Sequence, residues 1–328
     1  MINKEGDSLI WRYFGLGFLL LILVFLIFLY INKQQATQAS SREDSEKLPR
    51  VRTSLSYELP ESEKQKENID MARYHLEEGQ EDNIALPLSA QSALVADLET
   101  GKVVFAKNSH QRLFPASLTK LVTAIIAKQF YPTDKLFSIS KEAASQEPNS
   151  MGLKEGERVT TEELLWGLLI NSGNDAAWAL AEADKEGPSA FVKKMNDFIN
   201  KLGLKDSHFE NPSGLHHDNH YSSAYDIAVI MRYIHDKYPE LLSIMSTREK
   251  LLPKNGFHGN YYLSTLSTLL KNSQEIEAVK TGYTPEAGHT WVAIVKRGGK
   301  RIIVAFFNSW DSLNDAKKLI EFGFRKNK

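Results

Sequence analysis

Strand-like segments lie at both ends of the folded part of this chain and helical ones lie between them, so any sheet must be closed by bringing the two ends together. Residues 93–98 and 103–106 are apolar runs around Glu99-Thr100-Gly101-Lys102, a hairpin signal. Far along the chain, residues 277–280, 290–295 and 301–307 are strand-like, with Arg297-Gly298-Gly299-Lys300 as a second hairpin turn. Between them, apolar residues at helical spacing predict a helix from Leu118, just after Pro115, and further helices over 161–170, 176–183, 190–202 and 223–235. An amphipathic helix over 311–324 closes the pattern. One sheet assembled from the termini, with a helical insertion, is an α+β arrangement.

The first 31 residues are of another kind. From residue 9 to 31 the chain carries no charge after Arg12, and this run approaches the ~20 residues that cross a bilayer as a helix. Trp11, Tyr13 and Tyr30 sit near its ends, where amphipathic rings favour the membrane interface. A cleaved signal peptide is the rival reading, but its apolar region should be shorter and end beside small residues; the nearest, Ala36 to Ala39, lie several polar residues beyond. Residues 1–31 are therefore expected to be a cytoplasmic tip and an uncleaved transmembrane helix. Residues 32–87, rich in Ser, Glu, Lys and Gln, are expected to be a flexible stalk with room for a short helix around 69–76. The folded domain is expected to span 88–328. A formal net charge of -1 provides no basic field for nucleic acid, and the absence of cysteine decides little.

Three short patterns carry chemistry: Ser117-Leu118-Thr119-Lys120, Ser172-Gly173-Asn174 and Lys280-Thr281-Gly282. Serine is a poor nucleophile until a base takes its proton. On a helix, i and i+3 share a face, so Lys120 can reach the Ser117 hydroxyl. A lysine serves as that base only if burial or a neighbouring cation lowers its pKa, and Lys280 would supply the cation. Ser172 could relay a proton, and Asn174 could hold an amide through its donor and acceptor groups. Gly282 would let a strand approach a ligand closely. A second S-x-x-K, Ser138 to Lys141, lies in a strand-like alternation, and a second S-x-N, Ser312 to Asn314, reads as the cap or exposed face of the last helix.

With these patterns in their longer contexts, the sequence resembles the low-molecular-mass penicillin-binding proteins of the serine D-alanyl-D-alanine carboxypeptidase family. The contexts are Phe114-Pro115-Ala116-Ser117, Leu169-Ile170-Asn171-Ser172-Gly173-Asn174-Asp175-Ala176, Lys280-Thr281-Gly282-Tyr283-Thr284-Pro285-Glu286-Ala287-Gly288, His208-Phe209-Glu210-Asn211-Pro212-Ser213-Gly214-Leu215 and His220-Tyr221-Ser222-Ser223-Ala224. The resemblance implies a penicillin-binding/serine β-lactamase-like domain, an antiparallel sheet flanked by helices with a helical subdomain. It implies an acyl-enzyme on Ser117, removal of the terminal D-alanine from peptidoglycan stem peptides, and β-lactams as covalent inhibitors. Ser117, Lys120, Ser172 and Lys280 would be catalytic. Asn174, Thr281, Gly282 and Tyr283 would bind substrate, with the backbone N–H groups of Ser117 and Tyr283 as the oxyanion hole. No cofactor or metal is implied. The expected location is the cell membrane, single-pass, with the catalytic domain outside the cytoplasm.

Two departures from the family stand out. Relatives often carry a β-rich second domain and a C-terminal anchor, which the N-terminal segment is expected to replace. They also often carry an arginine shortly before the Leu-Leu that precedes the K-T-G strand, whereas Ser264-Thr265-Leu266-Ser267-Thr268-Leu269-Leu270 has none. Carboxylate binding would then fall on Lys280 and Thr281. The alternatives are a D,D-endopeptidase acting on crosslinks, a class A-like β-lactamase and a non-catalytic muropeptide sensor. The lactamase lacks a matching deacylation glutamate, because Glu210 lies in the wrong context. His216, His217, Asp218 and His220 suggest a metal site, but without helical i, i+4 support they read as a solvated loop.

Overall fold

The computed structural model describes residues 71–78 and 86–326. Among these, strands β1 (Ser92–Asp97), β2 (Val103–Lys107), β7 (Ile276–Thr284), β8 (Gly288–Arg297) and β9 (Lys300–Ser309) form one antiparallel sheet in the order β2-β1-β9-β8-β7. The N-terminal strand β1 lies beside the C-terminal strand β9, so the ends of the domain meet at the centre of the sheet. The β8–β9 turn places Gly298 and Gly299 both at positive φ, which a two-residue hairpin turn requires.

Both faces of the sheet are covered. Ile302, Val304 and Phe306 of β9 pack with Ala316, Leu319 and Phe322 of the closing helix, Ser312–Lys326. Their neighbours Ile303, Ala305 and Phe307 join the core beneath the helical region. Period-two alternation with apolar residues on both faces explains why β9 reads as an unbroken apolar run.

Helix α1 (Lys120–Phe130) leads the helical region, followed by α2 (Lys141–Ala144), α3 (Thr161–Ile170), α4 (Asn174–Glu182), α5 (Pro188–Lys201), α6 (Ala224–Lys237), α7 (Pro239–Ser246) and α8 (Thr268–Asn272); Ser312–Lys326 is α9. Helix α3 starts at a capping box between Thr160 and Glu163. It is expected from its spacing to be amphipathic, yet Leu164, Leu165, Gly167, Leu168, Leu169 and Ile170 are all buried. It runs through the core instead of lying on it. Two small two-stranded antiparallel sheets, β3–β4 (Leu136–Ser138 with Arg158–Thr160, spanning α2) and the hairpin β5–β6 (Glu249–Leu252 with Tyr261–Ser264), complete the domain.

The domain begins earlier than residue 88. Residues 71–78 fall within the expected stalk, but Tyr74 and Leu76 are 2% and 5% exposed. The Tyr74 ring meets Tyr233 edge-on at 5.0 Å and its hydroxyl donates to Asp236 at 2.5 Å. Backbone bonds from Glu77 to Gly101 and from Val103 to Glu77 tie the segment to the β1–β2 turn. Composition averaged over 32–87 hides these two apolar anchors. A chain beginning at Leu88 is therefore expected to unfold at lower denaturant than one beginning at Ile69, since each buried side chain of this size contributes about 1.5–3 kcal/mol before chain entropy is subtracted. Coincident urea midpoints for the two chains would show that the segment contributes nothing. The apolar run expected to cross a membrane lies outside the described residues, and among those described no helix is long and apolar enough to do so.

Candidate active site

Ser117 does not open an α-helix as its sequence context suggests. It sits in a 3-10 turn, Ala116–Thr119, that runs into α1. In a 3-10 turn residues i and i+3 eclipse, which aligns Lys120 with Ser117 more closely than an α-helix would. Lys120 Nζ lies 2.9 Å from Ser117 Oγ. Helix α1 is buried from Lys120 to Ala127, so the ammonium end of Lys120 is out of water.

Two further contacts decide what Lys120 can do. Its Nζ donates to Asn174 Oδ1 at 2.7 Å and to the Ser213 carbonyl at 2.6 Å. A neutral amine has two hydrogens and one lone pair. Both hydrogens go to oxygens that only accept, which leaves the lone pair for the Ser117 hydroxyl. Burial, and after it the charge of Lys280, holds the Lys120 pKa well below the ordinary lysine value, while Asp175 opposes the shift.

The acceptors are themselves fixed. Asn211 Oδ1 receives the backbone N–H groups of Ser213, Gly214 and Leu215 at 3.2, 2.8 and 3.2 Å, shaping the turn that points the Ser213 carbonyl at Lys120. Gly214 lies at φ +87°, and a Cβ there would stand 1.8 Å from the Ala116 carbonyl oxygen. Asn174 Nδ2 donates to the Glu147 carbonyl at 2.9 Å. Asn174 thus spends one amide hydrogen and one lone pair on the protein, leaving one of each for a ligand. The fully buried Asp175 accepts from Ser150 Oγ and from the N–H groups of Met151, Gly152 and Leu153 at 2.6 to 3.1 Å. It thereby anchors the loop whose Pro148 and Asn149 form one wall of the cleft.

Ser172 occupies the turn between α3 and α4 at φ +57°, a conformation that costs a non-glycine residue energy. Lys280 Nζ donates to its hydroxyl at 2.8 Å and to the Thr281 carbonyl at 2.9 Å. The relay expected of Ser172 is therefore joined to Lys280, whereas the hydrogen-bond contacts of Lys120 are Ser117, Asn174 and Ser213. Lys280 is buried, which pushes its pKa down to about 7. It lies inside strand β7, paired with Val292, and not at a strand end as its context suggests.

Strand β7 is an edge of the sheet and runs against the Ser117 turn. Gly282 makes this approach feasible, because an added Cβ would meet Ser117 N at 2.8 Å. Thr290 Oγ1 on β8 donates to the Pro115 carbonyl at 2.9 Å and locks the turn to the sheet. Ser117, Ser172, Thr281, Gly282 and Tyr283 line a cleft of about 400 Å³. Leu266 to Leu269 form its other wall, so the stretch where relatives often carry an arginine does face the site. Among the described residues lining the cleft there is no Asp, Glu, Lys or Arg.

Among the described residues, no group of three or more His, Cys, Asp or Glu side chains is placed to hold a metal ion. His216 packs edge-on against Phe114 at 4.7 Å, and His220 turns inward, 1% exposed. Glu210 pairs with His208 at 3.1 Å.

Residues 79–310 match the D-alanyl-D-alanine carboxypeptidase family, peptidase S11. The D-alanyl-D-alanine carboxypeptidase DacF of Bacillus subtilis is 37% identical over 243 residues, covering 72% of this chain and 62% of that protein. DacD of Escherichia coli is 35% identical over 251 residues, covering 72% and 63%. The chain thus spans less than two thirds of the length of these relatives. The crystal structure of a D-alanyl-D-alanine carboxypeptidase from Mycobacterium tuberculosis superimposes with a TM-score of 0.69 at 29% identity, covering 75% of this chain and 96% of that one. Penicillin binding protein 6B from Escherichia coli gives 0.66 at 32% identity, covering 76% and 82%.

Proposed function

Since the chain belongs to the D-alanyl-D-alanine carboxypeptidase family, we propose that it removes the terminal D-alanine from peptidoglycan stem peptides through an acyl-enzyme on Ser117. The observation that carries this reading is the proton inventory at Lys120: both amine hydrogens are taken by Asn174 and Ser213, and Ser117 faces the lone pair. Ser117 Oγ attacks the carbonyl of the penultimate D-alanine while its proton passes to Lys120 Nζ. The peptide C–N bond breaks, the leaving amine takes up a proton from the Ser172 hydroxyl that Lys280 holds, the proton on Lys120 makes good that loss, and water then hydrolyses the ester. A β-lactam is opened by the same attack and leaves the acyl group on Ser117.

The N–H groups of Ser117 and Tyr283 would receive the oxyanion, which suits a strand held as close as Gly282 allows. The unpaired edge of β7 offers backbone partners to an extended peptide, as in other cases of strand addition. With a cleft lined by no formal charge, the substrate carboxylate falls to Thr281 and to Lys280 beneath it. An incoming carboxylate favours the charged form of Lys280, so substrate itself would restore the cation that burial disfavours. Asn174 keeps one donor and one acceptor for the acyl-chain amide. The apolar run over residues 9–31 would hold the chain at the membrane, with catalysis outside the cytoplasm.

The test is to incubate the full chain with a pentapeptide muropeptide and with crosslinked dimers and follow products by mass. Loss of one alanine from the pentapeptide is expected. Cleavage of dimers alone would make the enzyme an endopeptidase, and labelling by penicillin without release of D-alanine would make it a sensor.

A further inference from the structure

His220 is the one residue of the histidine-rich loop that is buried against the nucleophile turn. Its ring meets Phe209 at 5.3 Å, and its Nε2 lies 2.8 Å from Thr119 Oγ1. Thr119 Oγ1 in turn donates to the Ala116 carbonyl at 2.9 Å. A hydroxyl has one hydrogen, so Thr119 must accept from His220, and Nε2 must carry the proton. The other ring nitrogen agrees independently: Nδ1 lies 3.2 Å from the backbone N–H of Glu210, which can only donate. Both ends of the ring therefore fix the same tautomer. Burial, followed by the neighbouring His208, His217 and Lys120, pushes the His220 pKa down to about 3, so the ring stays neutral in ordinary buffers.

Ala116 is what this chain of bonds holds. It stands at φ +47°, a left-handed conformation that a non-glycine residue keeps only when its surroundings enforce it. Its carbonyl receives the Thr119 hydroxyl, and the next residue is Ser117. The direction of the Ser117 side chain and of its N–H both follow from the Ala116 backbone.

We infer that His220 is a positioning residue for acyl transfer: through Thr119 it holds the Ala116 carbonyl, and so the left-handed turn that aims Ser117 at Lys120. The role rests on Ser117 being acylated, as proposed above. His220 touches neither substrate nor the reacting atoms.

The experiment measures penicillin acylation of the full chain, resolved into the noncovalent Kd and the first-order acylation rate. His220→Leu removes the donor; Thr119→Val removes the hydroxyl with little change of shape. Each is expected to lower the acylation rate roughly 10- to 100-fold and leave Kd within about threefold, since misplacement of a nucleophile acts on the chemical step. The double variant should be no slower than the slower single one, because both break the same chain of bonds. His220→Gln, which can still offer an N–H to Thr119, should recover about tenfold over His220→Leu. Acylation of Thr119→Val at the wild-type rate would overturn the inference, even if His220→Leu fails to fold. So would a loss confined to Kd, or a His220→Gln variant as slow as His220→Leu. If the wild-type chain is not labelled at all, it is the acyl-enzyme reading that fails.

Discussion

Ser117→Ala is expected to abolish covalent labelling by a penicillin, and Lys120→Arg to slow it by on the order of 10³-fold although the positive charge is kept. Guanidinium cannot lose a proton in this range, so arginine satisfies the charge of the site and not its proton transfer. The neighbourhood sharpens the contrast. The Asn174 and Ser213 oxygens would both be met by arginine N–H groups, but the lone pair facing Ser117 would be gone. Lys280→Arg keeps a cation where one is needed for carboxylate and for lowering the Lys120 pKa, and should retain partial activity. Lys280→Met removes that cation, so the protonated form of Lys120 becomes less costly and its pKa rises. The base must be neutral to act, so the rising limb of acylation against pH should move to higher pH in Lys280→Met. Rates come from a fluorescent penicillin by gel, and the site from peptide mass mapping. Wild-type labelling by Lys120→Arg, or label on Ser138 or Ser172, would refute the mechanism.

Gly282→Ala is the second large effect. The added Cβ would stand 2.4 Å from Thr290 Oγ1, 2.8 Å from Ser117 N and 3.1 Å from Ala116 Cβ. Two of these neighbours belong to the nucleophile turn, and the third tethers it by donating to the Pro115 carbonyl. Strand and turn must part, which would separate the Ser117 and Tyr283 N–H groups proposed to receive the oxyanion. Loss of one oxyanion donor costs about 10²- to 10³-fold, and that is the fall in acylation rate expected here. Overpacking should also cost about 1–3 kcal/mol of stability, read as a lower urea midpoint. Gly256→Ala serves as control, because nothing lies within 4 Å of its added Cβ. Equal acylation rates in the two variants would mean that the close approach of β7 has no part in the chemistry.

The three motifs were legible because each is a short pattern whose residues are neighbours in sequence, and the structure brings Ser117, Lys120, Ser172, Asn174 and Lys280 into one cluster. The hairpins and the sheet strands were legible from period-two patterns with Gly-rich turns. What escaped were partnerships across long separations. Nothing beside Asn211 or Asp175 announces that the first shapes the Lys120 acceptor and the second ties down residues 150–153. The same is true of Tyr74 and Leu76, two apolar residues in a polar stretch, whose partners lie about 150 positions away. Helix α7 and the β5–β6 hairpin have segments too short to set a period. The β7 boundary was missed because Thr281 to Thr284 is polar, although its backbone pairs as far as Gly288.

The placement of β1 beside β9 has a consequence for how the protein comes into being. Residues 92–97 pair with residues 302–307, about two hundred positions later, and β7 and β8 join β1 and β2 only through β9. A ribosome delivers the first strand long before its partner exists, so the β1–β2 hairpin must wait with one edge open. Contacts this distant in sequence slow folding and leave strand edges exposed in the interval. Lys280 can join Ser172 only once β7 has been made and lies against the Ser117 turn. Ser117 and Lys120 are thus made early, and the strand that carries Lys280 to Ser172 follows about 150 residues later.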